Sequence, residues 1–232
     1  VVMSAVQGVV DGFNQGMMQM TPPLGVRSES VQSQGVRMID WLVPGILGMS
    51  IMQTGLYSSA AFVTMREKKV YRRLAVTPIK RQHIVISQVL FRLIFGFLQS
   101  VVLLTVGYLL YQTPVRGNIL LLALIIATST VMFLSIGYII ASVAKNEQAF
   151  EPLVQVIAMP MMFLSGVFFP IEFMPPFIRP VVNALPLTYL NNALRAVINN
   201  AMGLAVVGTD LLVMGVWLVL SMIVAIKVFR WE

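Results

Sequence analysis

Residues 65–92 read MREKKVYRRLAVTPIKRQHIVISQVLFR, and this stretch decides the fold. It holds eight of the sixteen Lys and Arg residues of the chain, and it lies between two long apolar runs. A basic connection between two hydrophobic segments is typical of a loop that stays in the cytoplasm and orients the membrane spans around it. The stretch therefore predicts a polytopic α-helical membrane protein with a cytoplasmic basic segment at residues 66–86.

The composition of the whole chain supports this class. Of its 232 residues, 58% are hydrophobic and 11% are charged, whereas soluble domains carry about 25% charged residues. The apolar runs are continuous, which favours helices over a membrane β-barrel with strands of alternating polarity. The net charge of +7 lies at membrane-flanking positions, so we expect contacts with lipid headgroups and no nucleic-acid partner. The chain has no cysteine, which excludes disulfides and thiolate metal sites.

The apolar runs on either side of the basic segment predict five membrane spans. They cover residues 39–65, 87–111, 118–143, 150–169 and 210–229. Eleven Lys and Arg residues then fall on the side of the basic segment and five on the other side. Because positive charge is enriched in cytoplasmic loops, this asymmetry predicts a cell (inner) membrane protein with a cytoplasmic C-terminus.

The N-terminal part of the chain predicts an upstream segment. The sequence begins with Val1 and Val2, and residues 1–38 are too polar for a membrane span. They would lie outside the cell, although no signal peptide pattern precedes them. We therefore expect residues 1–38 to be the remnant of an extracytoplasmic segment after a missing first span, and the intact protein to have six spans.

Residues 170–208 differ from the apolar runs on either side. Five prolines interrupt this region, at positions Pro170, Pro175, Pro176, Pro180 and Pro186. The region is too polar and broken to span a membrane, and too apolar for a free loop. This pattern predicts a pair of short helices that lie at the outer membrane face or dip into it.

The sequence shows no catalytic constellation. Its single histidine is His83 in the basic segment, and a lone histidine is more often a surface residue than a ligand or a catalyst. The phosphate-binding pattern GxxxxGK[ST] does not occur. We therefore expect no enzymatic activity and no cofactor in these residues, and we expect any ATP hydrolysis on another chain or on a missing domain.

The basic segment allows two interpretations. It is either a topology signal alone, or an amphipathic cytoplasmic helix that docks into the groove of a partner. The second interpretation rests on Val70, Tyr71 and Leu74, which share one helical face among cations. Thr77 and Pro78 would end such a helix, because the residue before a proline is pushed out of the α region.

The fourth apolar run contains candidates for a substrate path. Ionisable residues inside spans are candidates for function, and Glu151 lies one helical turn before Gln155; the alternative is an interfacial Glu151 paired with Lys145. Methionine-rich surfaces suit variable hydrophobic ligands, although such residues more often only pack against neighbours. The candidate path residues are Glu151, Gln155, Met159, Met162 and Phe163.

Four stretches resemble the membrane (permease) subunit of a type-2 ABC exporter, the class that exports drugs, antibiotics and polysaccharides. They are LVPGILGMSIM (42–52), MREKKVYRRLAVTPIKRQHIVISQVL (65–90), FLSGVFFPIEFMPPFIRPVVNALPLTYLNNALRAV (163–197), and the last span with its short basic tail. In this order they cover residues 39–230. One departure is that Lys69 and Val70 replace the glycine that commonly follows the Arg-Glu pair.

The resemblance implies a short cytoplasmic helix that fits a cleft on a nucleotide-binding ATPase subunit. The coupling residues would be Arg66, Glu67, Lys69, Arg72, Arg73, Leu74, Thr77 and Pro78. ATP and Mg would bind the ATPase subunit. A second permease copy, in a homodimer or heterodimer, would complete a path lined by residues 39–65 and 150–169. The outer gate region would contain Phe169, Pro170, Glu172 and Tyr189.

Two other functions compete with the exporter. A secondary (ion-coupled) transporter or channel predicts ionisable residues in mid-span and often repeated halves, and the sequence shows neither. A membrane enzyme would need clustered His, Asp or Glu at an interface. The sequence favours the exporter and leaves the substrate open between hydrophobic molecules and polysaccharides.

Overall fold

The computed structural model describes residues 38–70, 81–113, 115–168 and 170–228, and all regular structure in these ranges is helical. The helices are α1 (Met38–Tyr57), α2 (Ala60–Glu67), α3 (Arg81–Tyr111), α4 (Ile119–Val143), α5 (Glu147–Leu164), α6 (Arg179–Ala184), α7 (Pro186–Ile198) and α8 (Leu204–Val228), with a 3-10 turn at Ile171–Phe173. The prediction of an all-α protein is confirmed.

Four helical segments in the described residues are long and apolar enough to cross a membrane. They are Met38–Glu67 (α1 with α2), Ile86–Tyr111, Ile119–Val143 and Leu204–Lys227, with mean hydropathies between 1.2 and 2.6. A helix needs about 20 mostly apolar residues to cross the hydrocarbon layer. These segments confirm a multi-pass membrane protein.

Helix α5 occupies the place of the fourth predicted span, 150–169. It has 18 residues and contains two prolines, and Glu147, Glu151 and Gln155 reduce its hydropathy. At 1.5 Å per residue, α5 is about 27 Å long, slightly shorter than a hydrocarbon layer of about 30 Å. The count of five spans stays a prediction.

Helix α4 is the centre of the bundle. It packs against α1, α3, α7 and α8, and 50% of its span is buried, compared with 11% for α3 and 17% for α8. Its first turn is capped by Asn118, whose Oδ1 accepts a hydrogen bond from the Leu120 amide at 2.8 Å. The exposed faces of α3 and α8 are apolar, for example at Leu109 and Leu212, and suit contact with lipid.

Helices α1 and α4 cross at close range because both have a glycine at the crossing. A Cβ added to Gly137 would lie 2.7 Å from the Leu56 carbonyl oxygen, and one added to Gly55 would lie 2.5 Å from the Phe133 Cβ. Small residues allow the backbones of membrane helices to approach each other in this way. The crossing therefore fixes α1 against the central helix.

Replacing Gly137 with valine is expected to destabilise the fold by roughly 1–3 kcal/mol, because the backbone of α1 must move to admit the side chain. The measurement is the thermal melting temperature of the purified protein in detergent. The matched control is Gly215→Val on α8, where an added Cβ meets nothing within 4 Å. Equal losses in both variants would contradict a close α1–α4 crossing.

The predicted span 39–65 is divided into two helices at Ser58 and Ser59. The Ser58 hydroxyl donates to the Thr54 carbonyl, and the Ser59 hydroxyl donates to the Leu134 carbonyl of α4 at 3.4 Å. Serine hydroxyls compete with backbone amides for carbonyl groups, and Ser pairs are common at helix kinks. Helix α2 is therefore a separate element from α1.

Helix α7 lies in the region where the sequence predicts short helices at or in the membrane face. Proline is favoured at the first helical position, and α7 begins at Pro186 and buries ten of its residues. It packs between α1, α4 and α8. Thus α7 lies within the bundle.

Three helix ends differ from the predicted span limits by five or six residues. Helix α3 begins at Arg81 rather than at 87, α5 ends at Leu164 rather than at 169, and α8 begins at Leu204 rather than at 210. Hydropathy marks the apolar part of a helix, and a helix can extend beyond it into polar residues. The early end of α5 has a local cause, since Gly166 has φ 71°, the left-handed conformation that ends helices.

Candidate substrate cleft and coupling end

A small open cleft of about 40 Å³ lies between α1 and α5. Its lining residues are Met52, Gln53 and Tyr57 of α1, and Gln155, Ala158, Met159 and Met162 of α5. The two walls are joined by a hydrogen bond in which the Tyr57 hydroxyl donates to Gln155 Oε1 at 2.6 Å. The cleft is thus formed by residues about 100 positions apart in the sequence.

The side-chain spacing of α5 explains the shape of its wall. Residues three or four apart share a helix face, so Gln155, Met159 and Met162 face the cleft together. The neighbouring stripe of α5, which includes Phe150 and Val154, is buried in the core. One face of α5 therefore holds it in the bundle and another remains accessible.

The chemistry of the cleft is neutral and amphipathic. Its lining offers thioethers at Met52, Met159 and Met162, and amides at Gln53 and Gln155. Thioethers are polarizable and adapt to irregular apolar shapes, while a few polar groups orient a ligand by hydrogen bonds. None of the seven lining residues is charged, so the cleft suits an uncharged or amphipathic molecule.

A second polar contact joins α1 to α3 inside the bundle. The Thr54 hydroxyl donates to Gln99 Oε1 at 2.8 Å, and Gln99 Nε2 donates to the Ser50 hydroxyl at 3.1 Å. Such interhelical hydrogen bonds satisfy polar groups that lipid cannot. They fix the helix that forms one wall of the cleft.

The last turn of α2 holds the turn between α4 and α5. The Thr64 hydroxyl donates to Glu147 Oε2 at 2.9 Å, the Glu147 amide donates to Glu67 Oε2 at 3.3 Å, and the Arg66 guanidinium donates to the Ala144 carbonyl. We name Thr64, Arg66 and Glu67 the α2 clamp. It lies at the end of the bundle that carries Arg66, Lys68, Lys69 and Lys145, which we name the basic end.

The opposite end of α5 is held by side chains of α7. Asn191 Nδ2 donates to the Ser165 carbonyl at 3.1 Å, and Arg195 Nη2 donates to the Gly166 carbonyl at 2.6 Å. The Arg195 guanidinium lies 3.5 Å from the ring centroid of Trp41, within cation–π distance. Two buried donors thus satisfy carbonyl groups just beyond the end of α5, where non-helical backbone inside a bundle needs partners.

Within the ranges that the structure describes, no group of three or more His, Asp or Glu residues could hold a metal ion. The carboxylates near the basic end, Glu67 and Glu147, are instead used in hydrogen bonds between helices.

The family comparison gives one match, to the ABC-2 type transporter family, over residues 1–199. This range includes the cleft, the α2 clamp and α7. The chain belongs to the ABC-2 type transporter family. The predicted resemblance to a type-2 ABC permease is therefore confirmed.

Several curated proteins are similar to this ABC-2 family member. ABC transporter G family member 20 of Dictyostelium discoideum is 26% identical over 91% of the chain and 30% of its own length. The probable multidrug ABC transporter permease YbhS of Escherichia coli (strain K12) is 24% identical over 67% of the chain and 42% of its own length. The inner membrane transport permease YhhJ of the same strain is 27% identical over 72% and 44%.

The chain spans less than half the length of these three relatives. No solved structure matches it significantly.

The predicted path residues of this ABC-2 protein fall into two groups. Gln155, Met159 and Met162 line the cleft together. Glu151 is exposed one turn earlier on α5 and does not line the cleft, while Phe163 contacts the Phe168 ring with 5.8 Å between centroids. Their role in transport stays a prediction.

Three of the predicted coupling residues lie in the described part of the chain. Arg66 and Glu67 belong to the α2 clamp, so they contact the α4–α5 turn. Lys69 is exposed and has φ 53°, a left-handed conformation that favours glycine. This conformation is compatible with the glycine that the resemblance predicts near this position. The other five, Arg72, Arg73, Leu74, Thr77 and Pro78, lie outside the described residues.

The predicted outer gate residues are only partly described. Pro170 precedes the 3-10 turn, and the Tyr189 hydroxyl donates to the Asn183 carbonyl at 2.6 Å, which joins α7 to α6. Phe169 and the side chain of Glu172 lie outside the described residues. A gating role for this region stays a prediction.

Sequence reasoning did not place several residues in the site. Gln53 and Tyr57 give no local signal, because their partner helix α5 is distant in sequence. Asn191 and Arg195 do give one, since they are four residues apart and therefore share a face of α7. Two strong hydrogen-bond donors on one face of a mostly apolar helix indicate polar partners inside the bundle.

Proposed function

We propose that this ABC-2 family member is the permease of an ATP-driven exporter that moves an amphipathic substrate across the cytoplasmic membrane. The family match over residues 1–199 is the observation on which the transporter class rests. The cleft between α1 and α5 supports a substrate path at this position, because polar and polarizable apolar side chains meet there beside exposed surface. The multidrug permease name of one relative supports export.

A nucleotide-binding ATPase, either a separate subunit or a fused domain, would supply the energy. No phosphate-binding loop occurs in these 232 residues, and ATP and Mg would bind that ATPase, while these residues would carry no catalytic site. The contact would form at residues 66–86, which hold seven of the sixteen Lys and Arg residues of the chain. The positive-inside rule supports a cytoplasmic position for the basic end, with Lys145 and Lys227.

A second permease copy would close the cleft. Gln53 and Gln155 are exposed at the cleft, and an amide facing lipid is costly because lipid offers no hydrogen bonds. A facing copy, in a homodimer or heterodimer, would remove both amides from lipid and enclose the substrate. Lipid would cover the apolar faces of α3 and α8.

Exchanging the charge of the coupling segment tests this function. The variant Arg72→Glu with Arg73→Glu is expected to reduce co-purification of the ATPase by about tenfold or more. The reason is that two carboxylates would replace two cations in the contact with the partner. ATP hydrolysis stimulated by the permease should fall with it, and removal of Mg should abolish hydrolysis in the wild type. The measurement is affinity purification of the full-length protein from its host membrane, followed by an ATPase assay.

The control is Lys227→Glu, which also replaces a cation with a carboxylate, at an exposed position of α8. It should retain the ATPase. If the wild-type protein binds no ATPase and transport follows an ion gradient, the chain is a secondary transporter and the exporter proposal is wrong.

A further inference from the structure

Arg92 places a charge inside the apolar part of α3. It is the only charged residue in the sequence of Ile86–Tyr111, and it follows Ile86 by six positions, so its Cα lies about 9 Å into this part of the helix. A charged side chain at such a depth is costly in hydrocarbon unless a polar partner receives it. The surroundings of Arg92 therefore indicate what kind of partner it needs.

The bundle itself offers Arg92 one weak acceptor. Nη2 donates to the Ser58 carbonyl at 3.5 Å, the long limit of a hydrogen bond, whereas Nε is buried and has no hydrogen-bond partner in the described part of the chain. Among the described residues, no carboxylate pairs with this cation. A guanidinium has five N–H donors and a full charge, and the Ser58 carbonyl compensates only a small part of both.

The guanidinium lies at the border between the bundle and the apolar outer surface of α3. Arg92 is half-buried, and its Cζ lies 5.3 Å from the ring centroid of Phe91, which is 57% exposed. Leu90 and Ile94, in the same part of the helix, are exposed apolar side chains. A cation beside exposed apolar side chains matches an amphiphile that has an anionic headgroup and acyl chains.

The orientation of α3 directs this cation towards a headgroup layer. Arg92 contacts Ser58, and Gln99 contacts Ser50, so α3 runs antiparallel to α1 and begins at the basic end. Helical side chains lean towards the helix N-terminus, and a long arginine side chain keeps its stem in apolar surroundings while its charge extends to the headgroups. Arg92 therefore points to the leaflet at the basic end, where the lysines and arginines of the chain attract anionic lipids.

We propose that Arg92 binds the phosphate of an anionic phospholipid in the leaflet at the basic end, with an acyl chain along Leu90, Phe91 and Ile94. Phosphate oxygens accept the charge-assisted hydrogen bonds that a guanidinium forms best. A lipid is favoured over a free anion, because only a lipid also covers the apolar side chains beside the charge. The site is separate from the cleft between α1 and α5, and it does not depend on the proposed ATP-driven function.

The test measures which lipid lies beside Arg92 in the full-length permease, reconstituted in nanodiscs of phosphatidylcholine. The chain has no cysteine, so Leu90→Cys can carry a fluorophore, which a doxyl spin label on a lipid acyl chain quenches at short range. Doxyl-labelled phosphatidylglycerol should associate with this position about fivefold more strongly than doxyl-labelled phosphatidylcholine, as expected for one cation near an anionic lipid.

Variants of Arg92 separate the charge from the fold. Arg92→Gln, which keeps a polar donor for Ser58, should remove the preference for phosphatidylglycerol, whereas Arg92→Lys, which keeps the charge, should retain most of it. Lys68→Gln is the matched control, because it removes one cation from an exposed position at the basic end; it should leave the preference at Leu90→Cys unchanged. A fluorophore at Leu212→Cys, on the exposed apolar face of α8, should show no preference.

Four results would overturn the proposal. Equal association of the two lipids at Leu90→Cys would show that no anionic lipid is selected, and a preference that survives Arg92→Gln would assign it to the basic end as a whole. The same preference at Leu212→Cys would show that anionic lipid surrounds the entire protein. Loss of the preference on addition of inorganic phosphate would show that the site takes a free anion. The last two results are obtained with Arg92 in place, so they decide the question even if Arg92→Gln does not fold.

Discussion

Replacing Arg195 with methionine is expected to cost about 3 kcal/mol of stability. Arg195 is 7% exposed, and its guanidinium donates to the Gly166 carbonyl and stacks on Trp41. A hydrogen bond from a charged group contributes about 1.5–3 kcal/mol, and a desolvated cation–π contact about 2 kcal/mol. Methionine fills a similar volume but leaves the Gly166 carbonyl without this donor inside the bundle.

The measurement is the melting temperature and the folded yield of the purified protein in detergent. Arg195→Lys should recover only part of the loss, because an ammonium keeps the charge but lacks the planar group that stacks on Trp41. The control is Arg179→Met, at an exposed position of α6, which should change stability by less than about 0.5 kcal/mol. Equal melting temperatures for Arg195→Met and the wild type would contradict a stabilising role.

Replacing Met159 with tryptophan is expected to reduce transport by about tenfold or more, because a rigid indole in the cleft excludes the substrate. Met159 is half-exposed and lines the cleft opposite Met52 and Gln53. The ATPase should still co-purify, since Met159 is distant from the basic end. The measurement is ATP-dependent transport of a fluorescent amphipathic dye into inverted membrane vesicles.

The control for added bulk is Leu212→Trp on the lipid-facing side of α8, where Leu212 is 66% exposed. It should transport at the wild-type rate. Normal transport by Met159→Trp would place the substrate path elsewhere in the protein. Loss of transport in both variants would indicate that bulk on any membrane helix impairs assembly. The result for Met159→Trp would then no longer support the cleft as the substrate path.

Hydropathy predicts much of this fold because a membrane helix and its apolar run nearly coincide. The predicted span 118–143 lies within one residue of α4, which Asn118 caps. The break at Ser58 and Ser59 could not be predicted in the same way, because Ser59 finds its acceptor on α4, 75 residues away. The burial of α7 also depends on tertiary partners, since Arg195 read alone indicates a surface residue.

Part of the candidate site can likewise be predicted from local sequence, and part depends on contacts between distant segments. The shared face of Gln155, Met159 and Met162 follows from their spacing alone. The other wall follows only from the packing of α1 against α5. Likewise, the sequence shows that Arg66 and Glu67 are charged but not what they contact, so a partner protein and the α4–α5 turn were equally compatible with it.

Because α3 and α5 differ in length, the thickness of the bilayer is expected to affect the arrangement of the helices. The apolar part of α3, Ile86–Tyr111, is about 39 Å long, whereas α5 is about 27 Å long. Since α5 is also predicted to cross the bilayer, a flat bilayer of one thickness would not match both helices without tilt, local thinning or movement of polar side chains towards the headgroups. Acyl-chain length in the surrounding membrane would therefore favour one arrangement of the short helix over another, independently of any soluble partner.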